Sequence, residues 1–168
     1  PSTTESDFLA AAFLRASGAN LTTISDLIAK EMDPRQIALL NDMFNAAVHH
    51  NINGQEVVIT TVSTEEYIHD LAFLVQKMLK IENLNAVFAI ALMKNKIYIA
   101  ERSRTPDVDV GTVVREIGGG GHSFAAAATV RDKTMAQVEN RLIHLLKRHV
   151  KSIQQAKDIM STPAITAQ

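Results

Sequence analysis

The chain has 168 residues, 46% of them hydrophobic, with a formal net charge of −1 and no cysteine. This length supplies one domain of ordinary size, and the near-zero net charge excludes a globally basic nucleic-acid-binding protein, so such contacts need a local patch. The absence of cysteine excludes disulfides and thiolate metal sites, and without a signal peptide or a bilayer-spanning run we expect a cytoplasmic protein with no membrane partner.

Three helices are predicted in the first third of the chain. The first covers Thr4–Ser17, and the second begins at Leu21 and ends near Met32. The third begins at Asp33–Pro34, since proline is preorganised for the first helical position, and its apolar spacing carries it to His49–His50. Adjacent histidines can bind a metal, but neighbours on a helix point about 100° apart, and histidines at a helix end also complement the helix dipole.

Strands and helices alternate in the rest of the chain. After a turn signal at Asn53–Gly54, we predict the strand Gln55–Val62 and then a helix that begins at the capping box Ser63–Glu66. The buried strand Asn85–Met93 and its hairpin partner Ile97–Arg102 follow. The last predicted elements are the short helix Asp109–Ile117, the strand Ala127–Arg131 and a long helix that begins at the capping box Thr134–Gln137. The pattern predicts an α/β fold, in which a helical N-terminal segment precedes a mixed sheet of four or five strands flanked by helices.

Two neighbouring stretches carry the strongest chemical signal, Arg102–Ser103–Arg104 and Gly118–His122. Side chains alternate along a strand, so Arg102 and Arg104 are predicted to project the same way, about 6–7 Å apart. The glycines permit positive φ and close approach of a ligand, and their successive N–H groups can form an anion-binding nest. Ser123–Ala128 can begin a short helix whose N-terminus faces the same spot. Together these features predict a phosphate site.

The same residues also fit a plainer interpretation. A glycine run can be a flexible linker, and Arg-Ser-Arg can be the solvated end of a strand. The better-known phosphate loops do not match, because Ser123 stands where a dinucleotide motif needs its third glycine, and no Gly-Lys-Ser or Gly-Lys-Thr follows. The residues alone therefore make a phosphate site plausible without identifying it.

A family resemblance sharpens the prediction. Arg-Ser-Arg, Val-Asp-Val-Gly and Gly-Gly-Gly-Gly-His-x-x-Ala-Ala together resemble the signature of the DHH-associated domain, the C-terminal lobe of DHH phosphoesterases. Many relatives have a glycine after Ala-Ala, whereas Ala125–Ala128 are all alanine here, so the local turn can differ. The resemblance implies a substrate-binding lobe that holds the phosphate and terminal nucleotide of a short nucleic acid through Arg102, Ser103, Arg104, Gly119, Gly120, Gly121 and His122.

The two ends of the chain also resemble family sequence. Thr3–Asp7 is similar to the end of a DHH catalytic domain, and Ala156–Pro163 is similar to the opening of a CBS domain. We therefore expect residues 1–52 to be the end of a DHH domain with a helical linker, residues 53–150 to be the DHH-associated domain, and residues 151–168 to begin a truncated CBS domain. This order resembles bacterial proteins in which a tRNA nucleotidyltransferase or poly(A)-polymerase-like domain follows.

The expected enzymology follows from what the chain lacks. It contains no Asp-His-His triplet and none of the other aspartates that hold the metal pair in DHH enzymes. Metal-assisted phosphodiester hydrolysis needs those ions, so we expect no catalytic residue, no metal and no cofactor here and no hydrolysis by the chain alone. The resemblance places Mn²⁺ or Mg²⁺ in the missing DHH domain.

Three functional hypotheses follow. The preferred one is the substrate-binding lobe of a metal-dependent phosphoesterase that acts on short oligonucleotides or 3′-phosphorylated nucleotides. The second is a non-catalytic tRNA- or RNA-binding module serving an attached nucleotidyltransferase, with contacts from Lys147, Arg148 and Lys151, although a basic helix end also complements the helix dipole. The third is a homodimerisation module.

Overall fold

A computed structural model describes residues 3–28 and 31–152, and the chain divides into two compact units, Pro1–Asp33 and Pro34–Gln168. The first unit holds helices α1 (Glu5–Ala16) and α2 (Leu21–Ile28). The capping box between Thr4 and Asp7 begins α1, which confirms the first helix. The second helix was predicted to end near Met32, but Met32 is not helical, and α2 is described as far as Ile28, before residues 29–30, which lie outside the described part. The CBS-like segment from Ala156 lies outside it as well.

The second unit is a six-stranded sheet with four helices. Its elements in chain order are α3 (Pro34–Asn45), β1 (Ala47–Ile52), β2 (Gln55–Thr64), α4 (Leu71–Ile81), β3 (Ala86–Met93), β4 (Lys96–Ser103), α5 (Val110–Arg115), β5 (Gly120–His122), β6 (Ala125–Val130) and α6 (Met135–His149). The strand order is β1-β2-β3-β4-β6-β5. Strands β2 and β3 are parallel and the other neighbours antiparallel, so the predicted α/β fold with a mixed sheet is confirmed, with six strands.

The helices cover the two faces of this sheet unequally. Helices α3 and α4 pack against β2, β3 and β4 on one face. Helices α5 and α6 lie on the other face, where Phe88, Ile99 and Leu145 belong to one fully buried apolar cluster. Nearly every residue of β3 is buried, as its continuous apolar sequence predicted. None of the helices in the described ranges is long and apolar enough to cross a membrane.

Several local predictions are confirmed by their capping and turn geometry. Pro34 is the first residue of α3, and Thr134 and Gln137 form the predicted capping box of α6. Lys94 and Asn95 both have positive φ, which is the backbone twist that a two-residue hairpin between β3 and β4 requires.

The predicted end of the third helix is wrong. The helix ends at Asn45, and the following residues, including His49 and His50, form strand β1. Strand β1 pairs with β2 across a turn in which Asn53 and Gly54 have φ of 54° and 87°. This hairpin satisfies the backbone of β1 in the sheet, so tertiary pairing overrides the helical spacing of Val48.

Two further helix predictions are wrong for the same reason. Ser63 and Thr64 do not open a helix but continue β2, where they pair with β3 in parallel register, and α4 begins only at Leu71. Ser123–Ala128 does not begin a helix either, because Ala125–Val130 is strand β6, held between β4 and β5. Alanine favours helices in isolation, but pairing on both edges decides the conformation here.

Candidate phosphate site

Sheet register brings two of the predicted site residues into line. Ala125 of β6 is paired with Arg102 of β4 on one side and with His122 of β5 on the other. Directly paired residues point to the same face of a sheet, so the side chains of Arg102 and His122 share a face. Their Cα atoms are two strand spacings apart, about 10 Å. We call Arg102, Ala125 and His122 the cross-strand row.

An uncovered stretch of sheet extends from this row on the same face. It consists of small or short side chains that are exposed or half-buried and that we call the alanine shelf, namely Gly120, Ala125, Ala127 and Thr129. A cavity of about 270 Å³ lies beside it, lined by residues of α4, β4 and β6 that include Leu71, Tyr98 and Ala127. The ring centroids of Tyr98 and Tyr67 are 5.3 Å apart. A flat, small-residue surface beside aromatic rings can accept a planar base.

Arg102 supplies the positive charge of the row. Its side chain is half-buried, and Nη1 donates to the backbone oxygen of Glu101 at 2.9 Å. Desolvation lowers the pKa of the guanidinium, but arginine remains charged at any physiological pH. Removal from water strengthens the attraction of this charge for a bound phosphate. His122 is exposed on the edge strand, where its ring is accessible to a ligand.

The other two residues of Arg-Ser-Arg do not join the row. Ser103 points to the opposite face and is buried, and its hydroxyl donates to the Thr105 oxygen at 2.9 Å and accepts from the Thr105 N–H at 3.1 Å. Arg104 lies beyond the end of β4, and its guanidinium donates to Asn83 Oδ1 at 2.8 Å. The Ser103 hydroxyl therefore stabilises the turn that follows β4, and Arg104 is held against Asn83, in the loop between α4 and β3.

The glycine run serves packing as well as ligand access. The Gly119 N–H donates to the Val114 oxygen at the end of α5, so this predicted phosphate donor is already used. A Cβ at Gly119 would lie 2.4 Å from the oxygen of Ala127, and one at Gly121 would lie 2.4 Å from the oxygen of Ala125. A Cβ at Gly120 would meet nothing within 4 Å. Close packing therefore requires glycine at positions 119 and 121, whereas Gly120 is open on the alanine shelf.

Helix α5 fastens the turn that follows His122. Its N-cap residue, Asp109, accepts the Thr112 N–H at 2.9 Å through Oδ1 and the Ser123 hydroxyl at 3.1 Å through Oδ2. The Thr112 N–H is the main cause of a lowered pKa of the Asp109 carboxyl. The Val110 N–H also donates to the Ser123 oxygen. These bonds fix the β5–β6 turn beside the row.

Replacing Asp109 by alanine is expected to lower the free energy of unfolding by about 1 kcal/mol, the usual cost of losing an N-cap. Because the folded state lowers the pKa of Asp109, its contribution is present above the ordinary value of 3.8 and is lost as the pH falls through the folded-state pKa. Urea unfolding at neutral pH measures the loss. Asp109→Asn is the control and should retain most of the stability, because asparagine is also a good N-cap.

Aromatic residues beside the alanine shelf and in the β5–β6 turn were not among the sequence-predicted site residues. Phe124 is half exposed in the β5–β6 turn, and Tyr67 is similarly exposed beside Tyr98. The sequence signal that could have identified Phe124 was its position two residues after His122, since an aromatic residue is more often buried than exposed in such a segment. Tyr67 and Tyr98 are far apart in sequence and meet only in the fold.

The predicted RNA contacts lie away from the row. Lys147 and Arg148 lie in the last turn of α6, on the opposite face of the sheet, and Lys151 follows two residues after the helix ends. Arg148 lies 3.6 Å from Glu116, which also bonds to His149 at 2.5 Å. That bond is the main cause of a lowered pKa of the Glu116 carboxyl. Lys147 and Lys151 are exposed and, within residues 3–28 and 31–152, form no ion pair.

The adjacent histidines do not make a metal centre. On strand β1 they point to opposite faces, and His49 Nδ1 lies 2.8 Å from Glu56 Oε1. His50 Nε2 is buried and has no hydrogen-bond partner in the described part of the chain. Among the described residues, no group of three or more His, Asp and Glu side chains could hold a metal ion.

Comparison with known proteins identifies the family. Residues 54–152, more than half of the chain, match the DHHA1 domain. The chain belongs to the DHHA1 domain family. The resemblance of Arg-Ser-Arg and the glycine run to a DHH-associated domain is thereby confirmed, and the cross-strand row lies within the matched DHHA1 segment.

Curated relatives of this DHHA1 chain are much longer proteins. An A-adding tRNA nucleotidyltransferase of Geobacter sulfurreducens is 42% identical over 166 residues, which are 99% of this chain and 19% of that protein. One of Aquifex aeolicus is 32% identical over 96% of this chain and 19% of its own length. The cyclic-di-AMP phosphodiesterase PdeA of Listeria monocytogenes is 23% identical over 86% of this chain. The chain thus spans about a fifth of the relatives it matches.

Solved structures show the same fold at low identity. An exopolyphosphatase-related protein from Bacteroides fragilis superimposes with a TM-score of 0.69 and 18% identity, covering 88% of this chain and 44% of that one. The C-Ala domain of Aquifex aeolicus alanyl-tRNA synthetase gives a TM-score of 0.50 and 18% identity, covering 60% of this chain and 98% of that one. Both similarities concern the fold alone, which these two differently named proteins share with this chain.

Proposed function

We propose that this DHHA1 domain is the substrate-binding lobe of a larger DHH-type protein and binds the phosphate and terminal nucleotide of a short RNA or a 3′-phosphorylated nucleotide. The observation that carries the proposal is the register of three strands, which sets Arg102 and His122 on one face with Ala125 between them. A half-buried arginine and an accessible imidazole in one row suit a phosphodiester group.

The arrangement gives each part of the site a separate role. Arg102 binds the phosphate by charge-assisted hydrogen bonds, and His122 donates to it from the neighbouring edge. The alanine shelf receives the base of the terminal nucleotide, next to the ring of Tyr98. The contribution of this chain is to bind and orient the ligand, and among its described residues no group of three or more His, Asp and Glu side chains could hold a metal ion.

The names of the relatives support a nucleotide ligand. They are tRNA nucleotidyltransferases at 42% and 32% identity and a cyclic-di-AMP phosphodiesterase at 23%. We infer that the domain serves a larger polypeptide whose catalytic groups, including any Mn²⁺ or Mg²⁺, lie outside this chain. Cytoplasmic location, a CBS domain after residue 151 and homodimerisation stay predictions.

The test is a titration of the 168-residue chain with a short oligoribonucleotide in two forms, with and without a 5′-phosphate. The phosphorylated form is expected to bind at least about tenfold more tightly, since a charge-assisted contact contributes roughly 1.5–3 kcal/mol. Its affinity should fall with added salt. Equal affinities for the two forms would contradict a site for the terminal phosphate.

A tRNA-binding surface at the end of α6 is the second candidate. It is favoured by the exposure of Lys147 and Lys151 and by the names of the two tRNA nucleotidyltransferases. Glu116 already neutralises part of this basic end, which weakens the case.

Reversing both charges, Lys147→Glu with Lys151→Glu, is expected to leave the affinity for the phosphorylated oligoribonucleotide within about twofold, because these residues are on the other face of the sheet. Filter binding of whole tRNA measures the competing role. Loss of short-oligonucleotide binding in this double variant, with Arg102→Ala unaffected, would favour the α6 surface over the row.

A further inference from the structure

A buried glutamate is the direct sequence neighbour of Arg102 in the cross-strand row. Glu101 precedes Arg102 on β4, is 0% exposed, and points to the opposite face, toward α5 and α6. Neither of its carboxylate oxygens has a hydrogen-bond partner in the described part of the chain. A buried polar group without a partner is rare in folded proteins, and a buried charge without one is rarer still.

The surroundings of Glu101 are apolar. Its paired neighbours are Phe88 on β3 and Ala126 on β6, with Gly121 of β5 next in line. Helices α5 and α6 add buried valines and leucines on this face. Among the titratable side chains of these elements and their connections, Glu139 of α6 is half-buried, and His122, His144, Lys147 and those of residues 131–133 are exposed. The others are bonded elsewhere, namely Arg104 with Asn83, Asp107 with Gln55, Asp109 with Ser123, Arg115 with Thr112, and Arg141, Arg148 and His149 with Glu116.

Such an environment favours the neutral acid. Burial raises the pKa of the Glu101 carboxyl well above its ordinary value of 4.5, and no charged neighbour opposes that rise. Ionisation in place would leave an uncompensated charge beneath α5, the helix that fastens the turn after His122. Because Glu101 is 0% exposed, water reaches the carboxylate only if the packing around it opens, and β6 and β5 are the last two strands on that side of the sheet.

We propose that Glu101 is a pH-sensitive latch, which as a neutral acid lets α5, β5 and β6 close on β4 and which on ionisation opens that packing and disorders the cross-strand row. Glu101 is thus a positioning residue for Arg102 and His122. The part of this proposal that concerns ligand release rests on the proposed function, whereas the latch itself does not.

The latch is tested by urea unfolding of the chain from about pH 5 to about pH 9, in wild type, Glu101→Gln and Glu82→Gln. The unfolded state holds the proton less tightly than the folded state, so stability from Glu101 is complete below pH 4.5 and is lost as the pH rises through the folded-state pKa. Relative to Glu101→Gln, the unfolding constant of wild type should rise by up to about tenfold per pH unit in this window.

Glu82→Gln is the control for the unfolding experiment. Glu82 is an exposed glutamate at the end of α4, so Glu82→Gln should follow the wild-type profile. Parallel profiles for wild type and Glu101→Gln would overturn the latch. If Glu101→Gln does not fold, NMR titration of the wild-type Glu101 carboxyl decides instead, and a pKa near 4.5 overturns the latch.

Ligand release is tested separately, with the 5′-phosphorylated oligoribonucleotide as probe. Between about pH 6 and pH 9, wild-type affinity should fall about tenfold or more further than that of Glu101→Gln. The same pH dependence in wild type and Glu101→Gln would overturn the coupling to the row. Absence of binding at every pH would instead contradict the proposed function, and the unfolding profiles would still decide the latch.

Discussion

Replacing Arg102 by alanine is expected to weaken binding of a 5′-phosphorylated oligoribonucleotide about 10- to 100-fold, because it removes the charge-assisted hydrogen bonds to the phosphate. The guanidinium is half-buried, so solvent screens it less than it screens an exposed arginine. His122→Ala should cost less, about 3- to 10-fold, since an imidazole on the edge strand offers a single weaker donor. Isothermal titration at low salt measures both losses.

Arg115→Ala is the matched control for this prediction. Arg115 is an exposed arginine on α5 whose guanidinium contacts Thr112, and it stands outside the row. Its removal changes the net charge by the same amount as Arg102→Ala but should alter the affinity by less than about twofold. Equal losses in the two variants would mean that only overall charge attracts the ligand, and the site would then not be the cross-strand row.

Gly119→Ala is expected to lower the free energy of unfolding by about 3 kcal/mol, at the upper end of the usual cost of overpacking. The added Cβ would lie 2.4 Å from both the Ala127 oxygen and Val114 Cγ1, and one of these contacts is with backbone that cannot rotate away. Strand β6 and helix α5 would have to separate to admit it. Urea unfolding measures the loss.

Gly120→Ala is the neighbouring control. A Cβ at Gly120 meets nothing within 4 Å, so this variant should keep its stability within about 0.5 kcal/mol, as surface substitutions usually do. A similar loss at both positions would show that glycine is needed for backbone flexibility throughout the run. The expected contrast would instead show that one glycine serves packing and the next one leaves the shelf open.

Much of the sheet could be predicted because its signals are local. Asn53–Gly54 and Lys94–Asn95 mark hairpins through backbone conformations that few residues adopt, and Asp109 identifies itself as an N-cap by its place before an apolar helix. Strand β1 could not be predicted, because its apolar spacing continued that of α3 and only pairing with β2 distinguishes the two structures.

Residues of the candidate site could be predicted from the sequence, but their arrangement in space could not. Arg102 and His122 were identified through a family resemblance, whereas their alignment through Ala125 depends on sheet register, which no local pattern contains. Ser103 and the amide of Gly119 were assigned to the ligand and serve the fold instead. Glu101 carries no sequence signal of burial, and only the packing of the fold shows that it is buried.

The position of the ligand is the central claim, and NMR shift mapping tests it most directly. Isotope-labelled chain is titrated with the 5′-phosphorylated oligoribonucleotide, and the backbone amide signals of every assigned residue are followed. The account predicts that the largest changes fall on Arg102, on Gly120–His122 and on Ala125–Ala127. Changes concentrated at Lys147–Lys151, with the cross-strand row unmoved, would contradict it.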